Sequence, residues 1–290
     1  MTTVGYAGRL ASLLPFVFLC GCVTLTAEPR AVLSGTGDAS GVMTLKCETA
    51  LRILQDATVG KSADALDHRP FRIVIWNIHK EGDRGWQDDL AAFAAANDVM
   101  LLQETVLDPV LRSIVDTAGL RWVMASSFLY DDNDVGVLTA TRIAPIASCT
   151  QRVVEPLLRI PKSAVISWLR IAGRQETLAV VNVHAINFDL FIDAYRAQME
   201  ALANTLSAHQ GPIVFAGDFN TWSDARDRVL GEVAVRLGMT EIELSVDKRA
   251  AFFGRHVDHV LVRGLEIVDA IAIPVTSSDH NPIQATLRLQ

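Results

Sequence analysis

Short apolar runs that end in polar side chains recur through most of the chain, and this pattern predicts a protein rich in strands. Runs of about five to eight residues bounded by polar or turn residues are typical of buried strands. Strands are predicted at residues 71–76, 99–103, 122–125, 136–140, 164–171, 178–183, 213–216, 259–262, 267–273 and 283–289. Because these strands alternate irregularly with helices, the order favours two packed sheets over a strict βαβ repeat.

Apolar residues spaced three and four apart predict helices between the strands, at residues 86–95, 109–117, 190–208 and 224–237. In the third helix Tyr195 and Leu202 belong to one apolar stripe, and Gly211 follows as a stop signal. Ser223 is a suitable N-cap for the fourth helix. One more helix is predicted near the N-terminus, with Thr44 as its N-cap.

The first 27 residues contain a single charged residue, Arg9, and an apolar centre, which is the pattern of an export signal. Leu19-Cys20-Gly21-Cys22 resembles a bacterial lipobox, which would place a lipidated Cys22 at the mature N-terminus. An uncleaved membrane anchor from Leu10 to Ala27 and simple secretion into the periplasm are the alternatives. Residues 28–70 are expected to form a tether and the N-terminal helix.

Composition and charge narrow the class of partner. The formal net charge of −7 makes the chain a weak non-specific partner for nucleic acids, so such contact needs a local basic patch. One large core and no internal repeat predict a single catalytic domain. The protein is expected to be a monomer. Cys47 and Cys149 remain after export. They either form a disulfide, which an oxidising compartment permits, or stay as two buried free thiols.

Polar side chains follow several predicted strands directly, at the point where strand ends meet along one rim of a sheet. Asn77 follows the apolar run 73–76, and Glu104 closely follows the run 99–102. Carboxylate and amide oxygens suit Mg²⁺, which usually keeps several of its waters. Glu104 is therefore a predicted metal ligand, and Asn77 supplies a second oxygen or holds a metal-bound water.

Strand geometry groups further polar residues, because side chains two residues apart project from the same face. Asn182 shares a face with His184 in this way. Asp218 shares one with Asn220 if its strand continues that far. Asp218 is then placed to orient an attacking water, while His184 and Asn220 donate hydrogen bonds to phosphate oxygens.

His280 is the predicted general acid or base, and it needs a carboxylate that fixes its tautomer. Asp258 is the strongest candidate for that carboxylate. Asp279, which directly precedes His280, is instead predicted to bind the metal. Water activation, charge neutralisation at a phosphoryl group and proton donation are the three demands of phosphoester hydrolysis. The polar residues therefore predict a metal-dependent phosphoester hydrolase.

The same residues form an ordered set of motifs: Trp76-Asn77, Gln103-Glu104, Asn182-Val183-His184, Gly217-Asp218-Phe219-Asn220, Asp258-His259-Val260 and Ser278-Asp279-His280-Asn281-Pro282. This set resembles the endonuclease/exonuclease/phosphatase superfamily, which includes deoxyribonuclease-I-like nucleases, neutral sphingomyelinases and inositol-polyphosphate phosphatases. The resemblance runs from about Phe71 to the C-terminus, which makes residues 71–290 the catalytic domain. Residues 158–166 and 184–188 are most similar to an uncharacterised bacterial branch of the superfamily.

The resemblance implies an α/β (α+β) fold, a four-layer αββα sandwich in which two packed mixed sheets carry helices on their outer faces. It also implies a Mg²⁺-dependent single displacement by water, with Mn²⁺ as a substitute. Its site residues map onto Glu104, Asn77 and Asp279 at the metal, His184 and Asn220 at the phosphate, Asp218 at the water, and His280 with Asp258 as the acid/base unit. Which histidine protonates the leaving oxygen is left open by the resemblance.

Three functions fit these residues. A phosphodiesterase of nuclease type would act on DNA or RNA, and a hydrolase of phospholipid or sphingolipid headgroups would be favoured by a membrane tether. The third is a non-catalytic binding lipoprotein, which the complete set of hydrolytic residues disfavours. Loops between the motifs decide among substrates and between endo and exo cleavage.

Several other polar residues near the motifs have two interpretations. Strand alternation points His259 away from Asp258, which predicts a structural role. Lys80, like His79 before it, either contacts a phosphate or lies in an exposed loop, and Trp222 is a candidate floor for a substrate groove. Arg152, Arg159, Lys162 and Arg170 form either a basic strip beside the site or a solvated strand face.

Overall fold

The computed structural model describes residues 23–34, 43–56, 64–189 and 191–290. Its strands are β1 (Val23–Thr24), β2 (Arg30–Leu33), β3 (Phe71–Asn77), β4 (Val99–Val106), β5 (Arg121–Tyr130), β6 (Asn133–Thr141), β7 (Ala147–Val154), β8 (Pro161–Arg170), β9 (Thr177–His184), β10 (Ile213–Asp218), β11 (Thr240–Glu241), β12 (Ala251–Phe252), β13 (Arg255–His256), β14 (Asp258–Arg263), β15 (Leu265–Ala272) and β16 (Ile283–Leu289). Its helices are α1 (Cys47–Asp56), α2 (Trp86–Ala96), α3 (Pro109–Thr117), α4 (Asp193–Leu206) and α5 (Asp224–Leu237).

Two mixed sheets contain all the long strands. The first has the order β1-β5-β6-β4-β3-β16-β15, with β2 also paired to β5, and the second has the order β11-β14-β10-β9-β8-β7. In the first sheet β3 and β4 are parallel, and Asn77 lies opposite Gln103. In the second sheet β9 and β10 are parallel, and Asp218 lies opposite His184. The carboxyl ends of these four strands define one end of the molecule, called the catalytic rim below.

Both sheets are covered on both faces, which explains why their strands read as nearly continuous apolar runs. In β3, Ile73 and Ile75 pack against the second sheet, while Val74 and Trp76 pack among the side chains of α2 and α3. The outer face of the second sheet packs against α1, α4 and α5. The order helix, sheet, sheet, helix confirms the predicted four-layer sandwich.

The N-terminal boundary of the fold differs from the prediction. Residues 30–33, expected in a tether, form β2 and pair with β5 at Val123 to Ser126. Thr44 is not the N-cap of α1, since the helix begins at Cys47 and the Thr44 hydroxyl donates to Pro29 O at 3.1 Å. Cys22 and the rest of the predicted signal and anchor segment up to residue 22 lie outside the described residues. Within the described ranges no helix is both long and apolar enough to cross a bilayer.

Local signals at the later helices were only partly correct. Ser223 occupies the N-cap of α5, yet its side chain makes no capping hydrogen bond among the described residues. Gly211 lies five residues beyond the end of α4 and has another role: a Cβ there would approach Thr177 O to 2.3 Å. Strand β7 was missed because residues 147–154 mix small, polar and apolar side chains at the edge of the second sheet.

A disulfide joins Cys47 in α1 to Cys149 in β7, with a Cα–Cα distance of 4.9 Å. It links residues 102 positions apart and fastens the outer helix to the edge of the second sheet. A closed loop of that length stabilises a small domain by about 2–5 kcal/mol. The sequence had left this pairing open, because Cα separations are not readable from spacing.

Candidate active site

Asp218 lies at the centre of the polar residues on the catalytic rim. It is the last residue of β10 and is 3% exposed. Asn77 Nδ2 donates to Asp218 Oδ2 at 3.1 Å, and the Asn220 N–H donates to Oδ1 at 2.9 Å. His184 Nε2 lies 3.5 Å from Oδ2. Asp218 therefore joins the ends of both sheets into one site.

The backbone around Asp218 depends on glycine. Gly217 adopts a φ of 142°, and a Cβ at that position would approach Val183 O to 2.0 Å. Asn220 follows in the left-handed region with a φ of 51°, and its Nδ2 donates to Ala185 O at 3.0 Å. The Gly-Asp-Phe-Asn motif is thus a close approach between parallel strands followed by a sharp turn.

Glu104 leaves the regular ladder of β4 at a bulge. The register between β4 and β6 shifts between Leu102 and Thr105, and Glu104 has a φ of 54°. Its carboxylate forms an ion pair with the Lys80 ammonium and lies 3.7 Å from His184 Nε2. Although burial opposes ionisation, the Lys80 and Lys162 ammonium groups hold the pKa of Glu104 well below its usual range. The site therefore contains a permanently charged, nearly buried carboxylate.

Lys80 is delivered to Glu104 by a left-handed turn directly after β3. His79, Lys80 and Glu81 have φ values of 50°, 53° and 61°, a conformation that non-glycine residues rarely adopt in succession. Asn77 Oδ1 accepts the His79 N–H at 3.1 Å, and Glu81 Oε1 accepts the Val106 N–H at 2.9 Å. Backbone strain of this kind persists only where surrounding contacts determine it, and it clusters at functional sites.

The Glu81 carboxyl should make stability depend on pH. Burial raises its pKa from 4.5 to about 8. The hydrogen bond from the Val106 N–H lowers this pKa, and the Asp108 charge raises it further. The folded protein then binds this proton more tightly than the unfolded chain, so its contribution is complete below pH 4.5 and is lost as pH rises to about 8. We expect the free energy of unfolding in urea to fall by up to about 1.4 kcal/mol per pH unit across this window.

The Glu81→Gln variant should remove that slope, because glutamine stays neutral. Glu266, an exposed residue paired with Arg288 at 3.0 Å, provides the matched control as Glu266→Gln and should keep the wild-type slope. An unchanged slope in Glu81→Gln would contradict the assignment.

His184 at the end of β9 is a neutral imidazole. Burial and the neighbouring Lys162 ammonium lower its pKa to about 3. The Asp218 and Glu104 carboxylates raise the pKa but do not offset this decrease. Lys162 Nζ lies 2.7 Å from His184 Nε2. An ammonium has only donors, so Nε2 accepts and cannot itself donate to a phosphate in this arrangement. The sequence treated Lys162 as one of four residues in a basic strip, whereas the structure places it inside the site.

His280 and Asp258 form a buried pair at the other side of Asp218. His280 Nδ1 lies 2.8 Å from Asp258 Oδ2. Burial alone would lower the pKa of His280, but the Asp258 carboxylate and its hydrogen bond raise it to about 10. Trp76 Nε1 donates to His280 O at 3.1 Å, and Ser278 Oγ accepts the His280 N–H at 3.1 Å. The imidazolium is therefore fixed, with Nε2 as its remaining donor.

Comparisons with known proteins agree with this geometry. A family model for the endonuclease/exonuclease/phosphatase family matches residues 74–280. A UPF0294 protein of Vibrio parahaemolyticus is 38% identical over 227 residues, which cover 77% of this chain and 79% of the relative. This protein belongs to the endonuclease/exonuclease/phosphatase family. The bacterial relative also confirms the bacterial branch predicted from the motifs.

Solved structures of the family share the fold at low sequence identity. An endonuclease/exonuclease/phosphatase from Bacteroides vulgatus is 18% identical with a TM-score of 0.60, covering 77% of this chain and 100% of that one. The human Nocturnin catalytic domain with bound sulfate is 17% identical with a TM-score of 0.58, covering 78% and 96%. Membership of this family makes the protein a phosphoester hydrolase of the nuclease or phosphatase type.

Members of the endonuclease/exonuclease/phosphatase family generally use a divalent metal, and the donors present here fit one. Asp218 and Asp258 each offer a carboxylate oxygen, and these oxygens lie within 4.8 Å of each other and of a ring nitrogen of His280, which can bind a metal only after losing its proton. Asp258 Oδ1 is buried and finds no hydrogen-bond partner among the described residues. Glu104 and Asn77 add further oxygens beside Asp218. Hard oxygen donors of this kind suit Mg²⁺ or Mn²⁺, and the geometry does not specify the ion.

The remaining predicted residues divide between the site and the scaffold. Asp279 lies at the mouth of the site with a side chain 46% exposed, and its Oδ1 is 3.8 Å from His79 Nδ1. His259 Nε2 lies 2.6 Å from Thr221 Oγ1 and Nδ1 lies 2.7 Å from Glu241 Oε1, which confirms its structural role. Within the expected basic strip, Arg152 instead donates to Thr26 O at 2.9 Å and fastens the N-terminal segment.

The buried side chain of Asn182 supports the fold rather than the substrate. Its Nδ2 donates to Leu138 O at 2.9 Å, and its Oδ1 accepts from Gln103 Nε2 at 2.6 Å. These bonds join the two sheets beneath the site. Trp222 Nε1 donates to Asn187 Oδ1 at 2.9 Å, which places the indole on the rim but does not make it a groove floor.

Proposed function

We propose that this protein is a Mg²⁺-dependent phosphodiesterase in which water attacks phosphorus in a single displacement. The supporting observation is one continuous set of contacts around Asp218. Glu104 lies 3.7 Å from His184, and His184 lies 3.5 Å from Asp218. Asn77 bonds Asp218 at 3.1 Å, and the pair of Asp258 and His280 approaches it from the opposite side.

Glu104 and Asn77 are the residues proposed to hold Mg²⁺, with Asp279 binding the ion or its waters at the mouth of the site. Asn77 Oδ1 accepts one bond from His79 N, which leaves a second lone pair for a cation or a water. When bound, Mg²⁺ supplies positive charge to the phosphoryl oxygens as the transition state develops.

Positive charge from the chain itself is proposed to bind the phosphoryl group. Lys162 has two N–H donors beyond the one that contacts His184, and Lys80 has a half-exposed side chain next to Glu104. Asn220 uses one Nδ2 hydrogen for Ala185 O and keeps the other. His184 is thereby assigned to orient the Lys162 ammonium rather than to donate a hydrogen bond to the phosphoryl group itself.

Asp218 and His280 are proposed to move the protons. Asp218 accepts a hydrogen bond from the attacking water and aligns its oxygen with phosphorus. As the new P–O bond forms, the bond to the leaving oxygen breaks, and the Nε2 proton of His280 goes to that oxygen. The water proton passes to Asp218 and then to solvent, and His280 regains its Nε2 proton from solvent, so charge and atoms balance over one turnover. Asp258 keeps Nδ1 protonated and stabilises the imidazolium.

Hydrolysis of bis-p-nitrophenyl phosphate by the full-length protein tests this function. We expect p-nitrophenolate release with Mg²⁺, loss of release with EDTA, and recovery on adding Mg²⁺ or Mn²⁺. Asp218→Asn, prepared identically, should be inactive and excludes a contaminating hydrolase. Nucleic acids and lipid headgroups both present such a diester. Failure to hydrolyse diesters of all three kinds would favour the non-catalytic binding role.

A further inference from the structure

Large apolar side chains are exposed around the catalytic rim. Phe253 is 89% exposed and Phe191 is 77% exposed, although aromatic residues dominate most protein cores. We call the exposed set the apolar rim, and it consists of Val23, Leu25, Leu157, Phe188, Phe191 and Phe253. Exposed apolar side chains gathered at one end of a fold mark an interaction surface more often than single scattered residues do.

Each loop of the apolar rim is attached to a residue of the site. Phe188 and Phe191 follow His184 at the end of β9. Phe253 lies between β12 and β13, a hairpin that leads directly to Asp258 at the start of β14. Leu157 lies between β7 and β8, and Lys162 is the second residue of β8. A flat surface that contacts all of these loops would therefore lie across the mouth of the active site.

The apolar rim is held in place by specific bonds. The Glu155 carboxylate, 1% exposed, accepts the N–H groups of Asn187 at 2.7 Å and Phe188 at 2.9 Å. These bonds join the loop of Leu157 to the loop of Phe188 and Phe191.

The hairpin is fixed to the site in a similar way. The Phe252 ring packs on His280 with centroids 4.9 Å apart. Phe253 follows with a φ of 51° and Gly254 with a φ of 77°, so the tip keeps a strained turn that presents a phenyl ring to solvent.

The N-terminal segment reaches the described fold at the same rim. Val23 in β1 lies opposite Tyr130 at the end of β5. That position is close to Val106 at the end of β4, because Phe128 and Val106 both pair with Val135. Arg152 fastens the segment there by donating to Thr26 O at 2.9 Å and to Ser127 O at 3.2 Å.

The residue bonded to Val23 is Cys22, and the sequence from Leu10 to Val23 carries no charge. An anchor of either predicted kind, a lipid on Cys22 or an uncleaved span, would therefore join the fold beside its active site. An anchor made of a lipid chain usually needs a second signal for stable attachment. The apolar rim supplies a second signal in addition to the N-terminal segment.

We propose that the apolar rim docks on a phospholipid bilayer, so that the active site faces lipid headgroups and the substrate is a phosphodiester at the membrane surface. Phenylalanine and leucine side chains bury their area in the acyl boundary, while Lys80 and Arg159 beside them are exposed toward phosphate groups. Nucleic acid fits this surface less well, because the chain has a net charge of −7 and the rim is apolar. The substrate class rests on the proposed function, whereas the docking does not.

Photo-crosslinking measures the docking without any activity assay. The full-length protein would carry p-benzoylphenylalanine at Phe253 or Phe191 and be reconstituted into vesicles of phosphatidylethanolamine and phosphatidylglycerol. Val235 is the matched control, because it is 84% exposed in the last turn of α5, away from the catalytic rim. We expect lipid adducts at Phe253 and Phe191 to exceed those at Val235 by about tenfold or more.

Equal adduct yields at Phe253 and Val235 would overturn the docking. So would a preference of the probe at Phe253 for an added single-stranded oligonucleotide over lipid.

The ratio of turnover on a vesicle-embedded phosphodiester to turnover on bis-p-nitrophenyl phosphate tests the substrate class. The double variant Phe191→Ser/Phe253→Ser should lower that ratio by about tenfold, and an unchanged ratio would refute a lipid-surface substrate. If wild-type protein yields the lipid adducts but hydrolyses neither diester, the proposed function fails while the docking stands.

Discussion

Replacement of His280 by alanine should reduce diester turnover by about 10²–10⁴-fold while the protein stays folded. His280 Nδ1 is bonded to Asp258 at 2.8 Å, and a pKa raised to about 10 keeps the imidazolium protonated at neutral pH. Its Nε2 proton is therefore available to the leaving oxygen. Initial rates with saturating substrate measure the loss, and circular dichroism reports the fold.

The dependence on leaving group separates proton donation from general damage. p-Nitrophenolate leaves without much protonation, whereas an aliphatic alkoxide needs a proton, so the loss in His280→Ala should be larger for an alkyl diester. His259 is a matched control, because it is a similarly buried histidine with its own carboxylate partner at 2.7 Å. His259→Gln should keep turnover close to wild type. An equal loss for both leaving groups would argue against His280 as the general acid.

The site was predictable to the extent that strand ends define it. Asn77, Glu104 and Asp218 follow apolar runs, and parallel strands bring their carboxyl ends to one rim. The period of two in β9 grouped His184 with the site, where it lies 3.5 Å from Asp218, and the same period in β14 pointed His259 away from the site. The two-sheet architecture followed from the number of strands, since each sheet must bury both faces against another layer.

The contacts that tune the site were not predictable, because they come from residues far apart in the chain. Nothing near Lys162 indicates that its ammonium lies 2.7 Å from His184. The left-handed turn at Lys80 is held by a local bond from the His79 N–H to Asn77 Oδ1 and by a tertiary bond from the Val106 N–H to Glu81, and no helix or strand propensity predicts it. Strand β2 looked like a tether because the surrounding residues are small and polar, and its partner β5 lies about ninety residues away.

Removal of the Glu104 carboxylate charge should lower the affinity for the metal ion more than any other single substitution. Glu104→Gln keeps the size of the side chain but removes the carboxylate charge that the Lys80 and Lys162 ammonium groups stabilise. We expect the affinity for Mn²⁺ to fall by about 10–100-fold and turnover to fall by two orders of magnitude or more. Titration of Mn²⁺ followed by electron paramagnetic resonance measures binding directly, and the Mg²⁺ dependence of turnover measures its consequence.

Two further variants make this prediction specific to a ligand role. Glu104→Asp retains the charge on a shorter side chain, so excess Mg²⁺ should restore part of its turnover but should not restore Glu104→Gln. Lys80→Met removes the ammonium that competes with a cation for Glu104, so it should bind Mn²⁺ at least as tightly as wild type while turning over more slowly. Unchanged Mn²⁺ affinity in Glu104→Gln would show that the metal is not held by Glu104, and would favour the carboxylates of Asp218 and Asp258, whose oxygens lie within 4.8 Å of each other.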